Sequence, residues 1–392
     1  MGKYKTSFDK IINRRNTGCL KFDHGISRKG RDDLIPLWVA DMDFQLPEIV
    51  LDKIKERVDH GIFGYTEPDT EYYEALKKWY QKRHGWAIEE KWTTVTPGVV
   101  YAIATAIKAF TKEGDAVLLQ SPVYYPFYKC IESNQRVLID NPLVYKDGHY
   151  QIDFEDYEKK IVDNGVKLFL LCNPHNPVGR VWRREELLRI GEICRKHNVI
   201  VFADEIHGDF TYSKYQYIPF ASLGKEISEL SVVGTSGSKT FNLAGLQTAN
   251  IFIPNQVLKK KFRLANSAAG YSHANTLGLT ANWAAYTYGE EWHDDLISYL
   301  EENLTFVRDF LEKELPQIKL VEPEGTYLIW LDCSGLTDDY RKLREIFEEK
   351  AHIWTDDGVI FGRDSALFER INIATQRSVL ERAFNQLKEA IT

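Results

Sequence analysis

The chain has 392 residues, a formal net charge of −7 at neutral pH, 44% hydrophobic residues and 27% charged ones. That composition excludes a disordered or fibrous chain, and the length exceeds what one compact core usually holds, so two domains are expected. No basic block is longer than Lys259–Lys261 and no apolar run reaches membrane-spanning length, so neither nucleic acid nor membrane is expected as a partner.

Taken in chain order, the start MGKYKTSFDK lacks the apolar stretch of a secretion signal. The first forty-odd residues end in WVADMDF (from Trp38) and fit poorly into a sheet, so they are expected to join a smaller lobe formed later in the chain. Asp41 and Asp43 in that segment are two residues apart. An ordinary turn explains them better than a pair of glycosidase acids.

Between about residues 90 and 255, short β-branched runs alternate with helical patterns, the mark of an α/β sheet with crossover helices. Strands are expected at WTTVTP (from Trp92), AVLLQ (from Ala116), RVLI (from Arg136), KLFLLC (from Lys167), VIVFAD (from Val199), SVVGTS (from Ser231) and ANIFI (from Ala249). Several are apolar throughout, as strands covered on both faces are. The clearest helix runs from Arg184 to His197, with Leu187, Leu188, Ile190, Ile193 and Cys194 on one stripe. From Glu290 a long amphipathic helix is expected, then a strand–turn–strand in KLVEPEGTYLIWLD and two more helices around DDGVIFG and ERINIAT. The expected division is a large domain over 46–288 and a smaller α+β domain made of 1–45 and 289–392. Cys19, Cys130, Cys172, Cys194 and Cys333 are scattered without metal-ligand spacing, which reads as reduced thiols of a cytoplasmic protein.

Several segments offer groups for chemistry. SVVGTSGSKTFNLAGLQ (Ser231–Gln247) ends a strand in a small-residue loop that presents Lys239 between Ser236, Ser238 and Thr240. Such a lysine acts as a nucleophile, or forms an imine with a carbonyl cofactor, when its surroundings depress its pKa; a surface lysine in a turn is the plain alternative. A nucleotide P-loop is rejected, because Ser238 stands where glycine must precede the lysine. VIVFADEIHGD delivers Asp204 at the end of an apolar strand, where a buried carboxylate needs a partner; a protonated pyridine nitrogen is one, a helix cap or a metal are others. In LCNPHNPVGR, Asn173 sits in a stiff loop that holds an amide or merely makes a turn. The N–H groups of Val99 and Val100 follow Gly98 at a helix start and suit a phosphate. Tyr124 in SPVYYPFY suits stacking on a flat ring, and Arg370 in LFERINIAT suits a carboxylate.

In order along essentially the whole chain, WVADMDFQLPEIV, FGYTEP, TPGVV, PVYYPF, NPHNPVGR, ADEIHGD, SKTFNLAGLQ, PEGTYLIWLD and ERINIAT resemble the fold type I pyridoxal-5′-phosphate (PLP) enzymes, the aspartate aminotransferase superfamily. Within it they look like the cystathionine β-lyase, or C–S lyase, subgroup of the MalY/PatB type. The resemblance implies an α/β fold with a mixed, mostly parallel seven-stranded sheet, and PLP held by Lys239. It further implies Asp204 against the pyridine nitrogen, Asn173 on the ring oxygen and Tyr124 stacked on the ring. Val99, Val100, Ser236 and Ser238 would take the phosphate, with Tyr65 reaching over from the partner of a homodimer. Arg370 would take the substrate carboxylate, helped by backbone at Ala40 and Asp41. Many members of the superfamily carry tyrosine where this chain has His207 and arginine where it has Gln247. Both departures resemble the C–S lyases and favour elimination from cysteine thioethers over transamination, while the intact set of Lys239, Asp204, Asn173 and Arg370 speaks against a third reading, a regulatory protein that keeps PLP without useful turnover.

Overall fold

A computed structural model of the chain describes residues 2–392. All seven expected strands form, and they make one sheet: β1 (Thr93–Thr96), β2 (Ala116–Leu119), β3 (Val137–Asp140), β4 (Leu168–Cys172), β5 (Ile200–Asp204), β6 (Ser231–Thr235) and β7 (Ala249–Phe252). Their spatial order is β1-β7-β6-β5-β4-β2-β3, and only β7 runs against its neighbours. The strands are apolar on both faces because both faces are covered. Along each strand alternate side chains go to opposite cores. Leu168, Leu170 and Phe202 join one cluster with the helix Val99–Phe110, while Phe169, Leu171, Val201 and Ala203 join the other with the helix Arg184–Lys196. On that helix Leu187, Ile190, Ile193 and Cys194 are buried and Leu188 is half-buried. The two edge strands are the exceptions: β1 reads TTVT with its middle residues half-buried, and β3 leaves Val137 exposed.

The long helix spans Glu290–Glu314. It precedes a four-stranded antiparallel sheet of β8 (Lys319–Val321), β9 (Leu328–Asp332), β10 (Asp356–Asp357) and β11 (Phe368–Asn372), ordered β8-β9-β11-β10. Ile35–Pro36 pairs in parallel with Ile353–Trp354, and Trp38 stacks on Trp354 with ring centroids 4.4 Å apart, so the N-terminal segment lies against the later chain. It then crosses to the carboxyl ends of the large sheet's parallel strands. Among the described residues no helix is long and apolar enough to cross a membrane.

Candidate active site

The ends of β4, β5 and β6 converge in one crevice, the place where open α/β sheets bind ligands. After β6 the chain makes a single helical turn, Gly237–Thr240, capped by Ser236, whose Oγ accepts from Ser238 N at 2.9 Å. Gly237 is required by space: a Cβ there would stand 2.6 Å from Asn282 Oδ1. The turn aims Lys239 across the crevice, where its Nζ donates to Ala40 O at 2.5 Å. Burial lowers the Lys239 pKa to about 8; Asp41 and Asp204 pull it back up and Arg370 pushes it down. The amine is therefore partly neutral near physiological pH, the state a nucleophile or proton acceptor needs.

Asp204 ends β5, with Ile206 N donating to it at 3.2 Å. Burial raises its pKa to about 7, against that hydrogen bond and the charge of Lys239. A buried carboxyl so sparsely served calls for a cationic partner. His207 is buried, its Nδ1 has no partner among the described residues, and burial with the charges of Lys239 and Arg370 holds its pKa far below the ordinary value, so the ring is neutral. Tyr327 stands beside it, ring centroids 5.6 Å apart, and donates from its hydroxyl to Ala40 O at 2.9 Å.

Arg370 is buried on β11. Its Nη2 donates to Trp38 O at 2.8 Å and its Nη1 to Asn176 Oδ1 at 3.1 Å, while Nε–H has no acceptor among the described residues. Asn372 Nδ2 adds bonds to Val39 O (2.7 Å) and Asp41 O (2.6 Å). The backbone from Trp38 to Asp41 is thus pinned by groups from both sheets. The Asp41 side chain faces elsewhere: Arg14 donates to its two oxygens at 3.0 and 2.7 Å. A cavity of about 590 Å³, lined in part by Arg14, Val39–Gln45 and Asn242, opens onto Lys239.

The helix Val99–Phe110 starts in the same crevice. Val99 Cγ1 packs on β6, so close that a Cβ on Gly234 would stand 2.9 Å away. The first-turn N–H groups of Val99 and Val100 have no acceptor among the described residues, the orphaned donors that an anion site at a helix start uses. Ser236 Oγ lies 2.7 Å from Ser238 Oγ and 2.6 Å from Thr248 O. Tyr124 is half-buried, and burial pushes its hydroxyl pKa up, with Arg370 and Asp204 among the charges it senses.

Two of the expected residues, Tyr65 and Asn173, and the departure at Gln247 stand apart from this picture. Tyr65 is 92% exposed beside His273, outside the crevice of its own chain. Gln247 is exposed, at a positive φ of 48°. Asn173 is buried, but its Nδ2 is committed to Ile218 O at 3.1 Å and Glu205 Oε1 at 3.4 Å, and its Oδ1 has no partner among the described residues. Asn176, three residues on, is the amide that touches Arg370, and no acceptor takes its Nδ2 among the described residues. The repeated Asn-Pro in NPHNPVG was a signal for it, but nothing local to the sequence tells which of the two amides turns inward. Tyr327 and Asp356, which bonds Arg370, were also unforeseen; only the folded register brings them in.

The groups present fit PLP. They comprise an amine with a depressed pKa, a carboxyl with a raised one, free N–H groups at a helix start, and orphaned buried polar atoms on Asn173, His207 and Arg370.

The chain belongs to the aminotransferase class I and II family, whose model matches residues 32–387. Cystathionine beta-lyase PatB of Bacillus subtilis is 43% identical over 388 residues, covering 98% of this chain and all of that protein. Protein MalY of Escherichia coli is 32% identical over 386 residues, covering 98% of each. Among solved structures, cystalysin from Treponema denticola, which contains a pyridoxal 5′-phosphate cofactor, superposes with a TM-score of 0.95 at 38% identity over 98% of each chain. The mixed, mostly parallel seven-stranded sheet expected from the sequence is the fold these proteins share.

Proposed function

We propose that this chain is a PLP-dependent C–S lyase of the cystathionine β-lyase type, releasing a thiol, pyruvate and ammonia from L-cystathionine or a related cysteine thioether. The observation that carries it is the buried Lys239 amine, held at a pKa of about 8 in one crevice with Asp204 and Arg370. The 43% identity to a cystathionine beta-lyase over nearly the whole chain supports elimination as the outcome.

When bound, PLP supplies a conjugated ring that accepts the electron pair left at the substrate's Cα. Lys239 would anchor the cofactor, and its neutral Nζ is the base placed to take the substrate's Cα proton. Asp204 would hold the proton on the ring nitrogen, which would give its own carboxylate the counter-charge it lacks. Asn176, whose Nδ2 has no acceptor among the described residues, would hold the ring oxygen, the role expected for Asn173, because the Asn173 amide nitrogen is already committed. His207, buried and neutral, would line the ring's pocket, and Tyr124 would lie against the ring's face. Val99 and Val100 N–H with Ser236 and Ser238 hold the phosphate. Arg370 orients the substrate through its carboxylate, beside backbone of Ala40 and Asp41; positioning of this kind supplies a large share of a barrier reduction.

We assign 46–288 to the cofactor-binding domain and 1–45 with 289–392 to the smaller one, and read the protein as a cytoplasmic homodimer. Exposed Ile62, Phe63 and Tyr65 support a partner that buries this loop and receives Tyr65 into its site.

The test is pyruvate release from cystathionine with no keto acid added. Many turnovers per site are expected. Stoichiometric conversion of the cofactor to its amine form, with turnover only after adding a keto acid, would establish transamination instead.

A further inference from the structure

Arg370 is already answered by a negative charge from its own chain. β10 runs antiparallel to β11, and their register sets Asp356 directly across from Arg370. The Asp356 carboxylate accepts from Arg370 Nη2, and both residues are buried. Its neighbour Asp357 points the other way and pairs with Arg344, as alternation along a strand requires. Phe361 lies against the guanidinium, 4.9 Å from ring centroid to Cζ. With Trp38 O and Asn176 Oδ1 also taken up, three of the guanidinium's five N–H groups are used; the buried Nε–H and one N–H of Nη1 have no acceptor among the described residues.

A carboxylate that docks on Arg370 therefore meets a cation already balanced and a fixed negative charge beside it. One carboxylate can still take Nε–H. A second carboxylate on the same small molecule adds repulsion from Asp356 in a site where water screens little. We propose that Asp356 is a specificity-determining residue, which holds down the affinity of Arg370 for anions and selects against substrates with a second carboxylate close to the first. Short dicarboxylic amino acids and keto acids of the size of aspartate or succinate are disfavoured, whereas amino acids whose nearby side chain is uncharged, including a thioether with its second carboxylate at the far end, are favoured; discrimination rests on the repulsive element as much as on the attractive one. Burial holds the Asp356 carboxyl above its ordinary pKa while Arg370 pulls it down, as expected of a charge kept in place only by its partner.

The inference rests on the reading of Arg370 as the receiver of the substrate carboxylate. A purely structural Asp356, one that only steadies Arg370, has the opposite signature, because its loss would loosen the receiver. The experiment titrates propionate and succinate, which lack an amine and cannot turn over, into the cofactor-loaded protein by calorimetry. Wild type, Asp356→Asn and Asp357→Asn are compared. In wild type, succinate is expected to bind no more tightly than propionate. In Asp356→Asn, propionate tightens at least fivefold and succinate at least tenfold, because the ligand now supplies the missing counter-charge. Asp357→Asn stays within twofold for both. Weaker or unchanged binding in a folded Asp356→Asn overturns the proposal. So does wild type binding succinate much more tightly than propionate, an arm that needs no variant. Absorbance before titration separates the two readings: a protein that takes up no PLP overturns the proposed function itself, whereas a loaded protein that fails these comparisons overturns only the role of Asp356.

Discussion

Two aspartates of this molecule are equally buried, at 6% exposure for Asp43 and 5% for Asp204, and they behave in opposite ways. Asp43 accepts from Arg14 at 2.7 Å and from the fully buried Lys21 at 2.8 Å. Against burial, which pushes it up, those two cations hold its pKa below the ordinary carboxylate value. Asp204 has no cation in contact, and burial carries its pKa up to about 7. The first is a closed ion cluster beside the crevice. The second is a charge left short of a partner at the crevice floor, together with orphaned polar atoms on Asn173, His207 and Arg370. Burial of charge alone does not mark a site; burial without internal compensation does.

The comparison can be broken by substitution. The largest effect belongs to the amine facing Asp204: Lys239→Ala is expected to lose turnover by about 10³-fold or more, together with the yellow absorbance of bound cofactor. Next come the two aspartates. Asp43→Asn leaves the buried Lys21 only the more distant Asp41, 3.9 Å away, as a counter-ion, and is expected to destabilise the protein by about 3 kcal/mol, read by urea unfolding. Asp204→Asn should instead leave the cofactor-free protein as stable as wild type or more so, while turnover of the loaded enzyme falls by about 10²–10³-fold. Equal losses of stability in both variants would contradict the distinction.

The pH dependence sharpens it. Because the folded Asp204 pKa lies near 7 against 3.8 for an unburied carboxyl, the folded cofactor-free protein binds more protons than the unfolded one between those values. That contribution makes stability fall as pH rises from about 4 to 7 and leaves it flat above. Lys239 works in the other window: its pKa near 8 against 10.5 means stability recovers as pH rises from 8 towards 10.5. The difference between wild-type and Asp204→Asn unfolding curves should contain the first slope and not the second. The smallest effect concerns the two amides. Asn176→Ala should weaken cofactor binding by about 1–2 kcal/mol and shift its absorbance, whereas Asn173→Ala should lower stability with little change in the spectrum.

How much of this could be read beforehand follows from where each feature's information lies. The seven strands of the large sheet were legible because burial on both faces forces apolar runs such as LFLLC and VVGT. Lys239 and Asp204 were singled out because they stand at or just beyond the ends of apolar strands, and Arg370 because a charged residue interrupts the apolar alternation within its strand. The choice between Asn173 and Asn176 was not, since both precede proline and only the packing of Glu205 and Ile218 decides which amide turns away. Asp356 was invisible, because its importance comes from the register of β10 on β11. One short hairpin, Val144–Lys146 with His149–Gln151, was overlooked although its turn residues Asp147 and Gly148, both at positive φ, are a hairpin signal.

A covalent trap tests the account most directly. The cofactor-loaded protein is reduced with borohydride, digested, and the pyridoxyl group located by mass spectrometry. Recovery of the group on Lys239 is the predicted result. Recovery on Lys259, whose pKa burial also lowers to about 8 but which lies outside the crevice, or on no lysine at all, would contradict it.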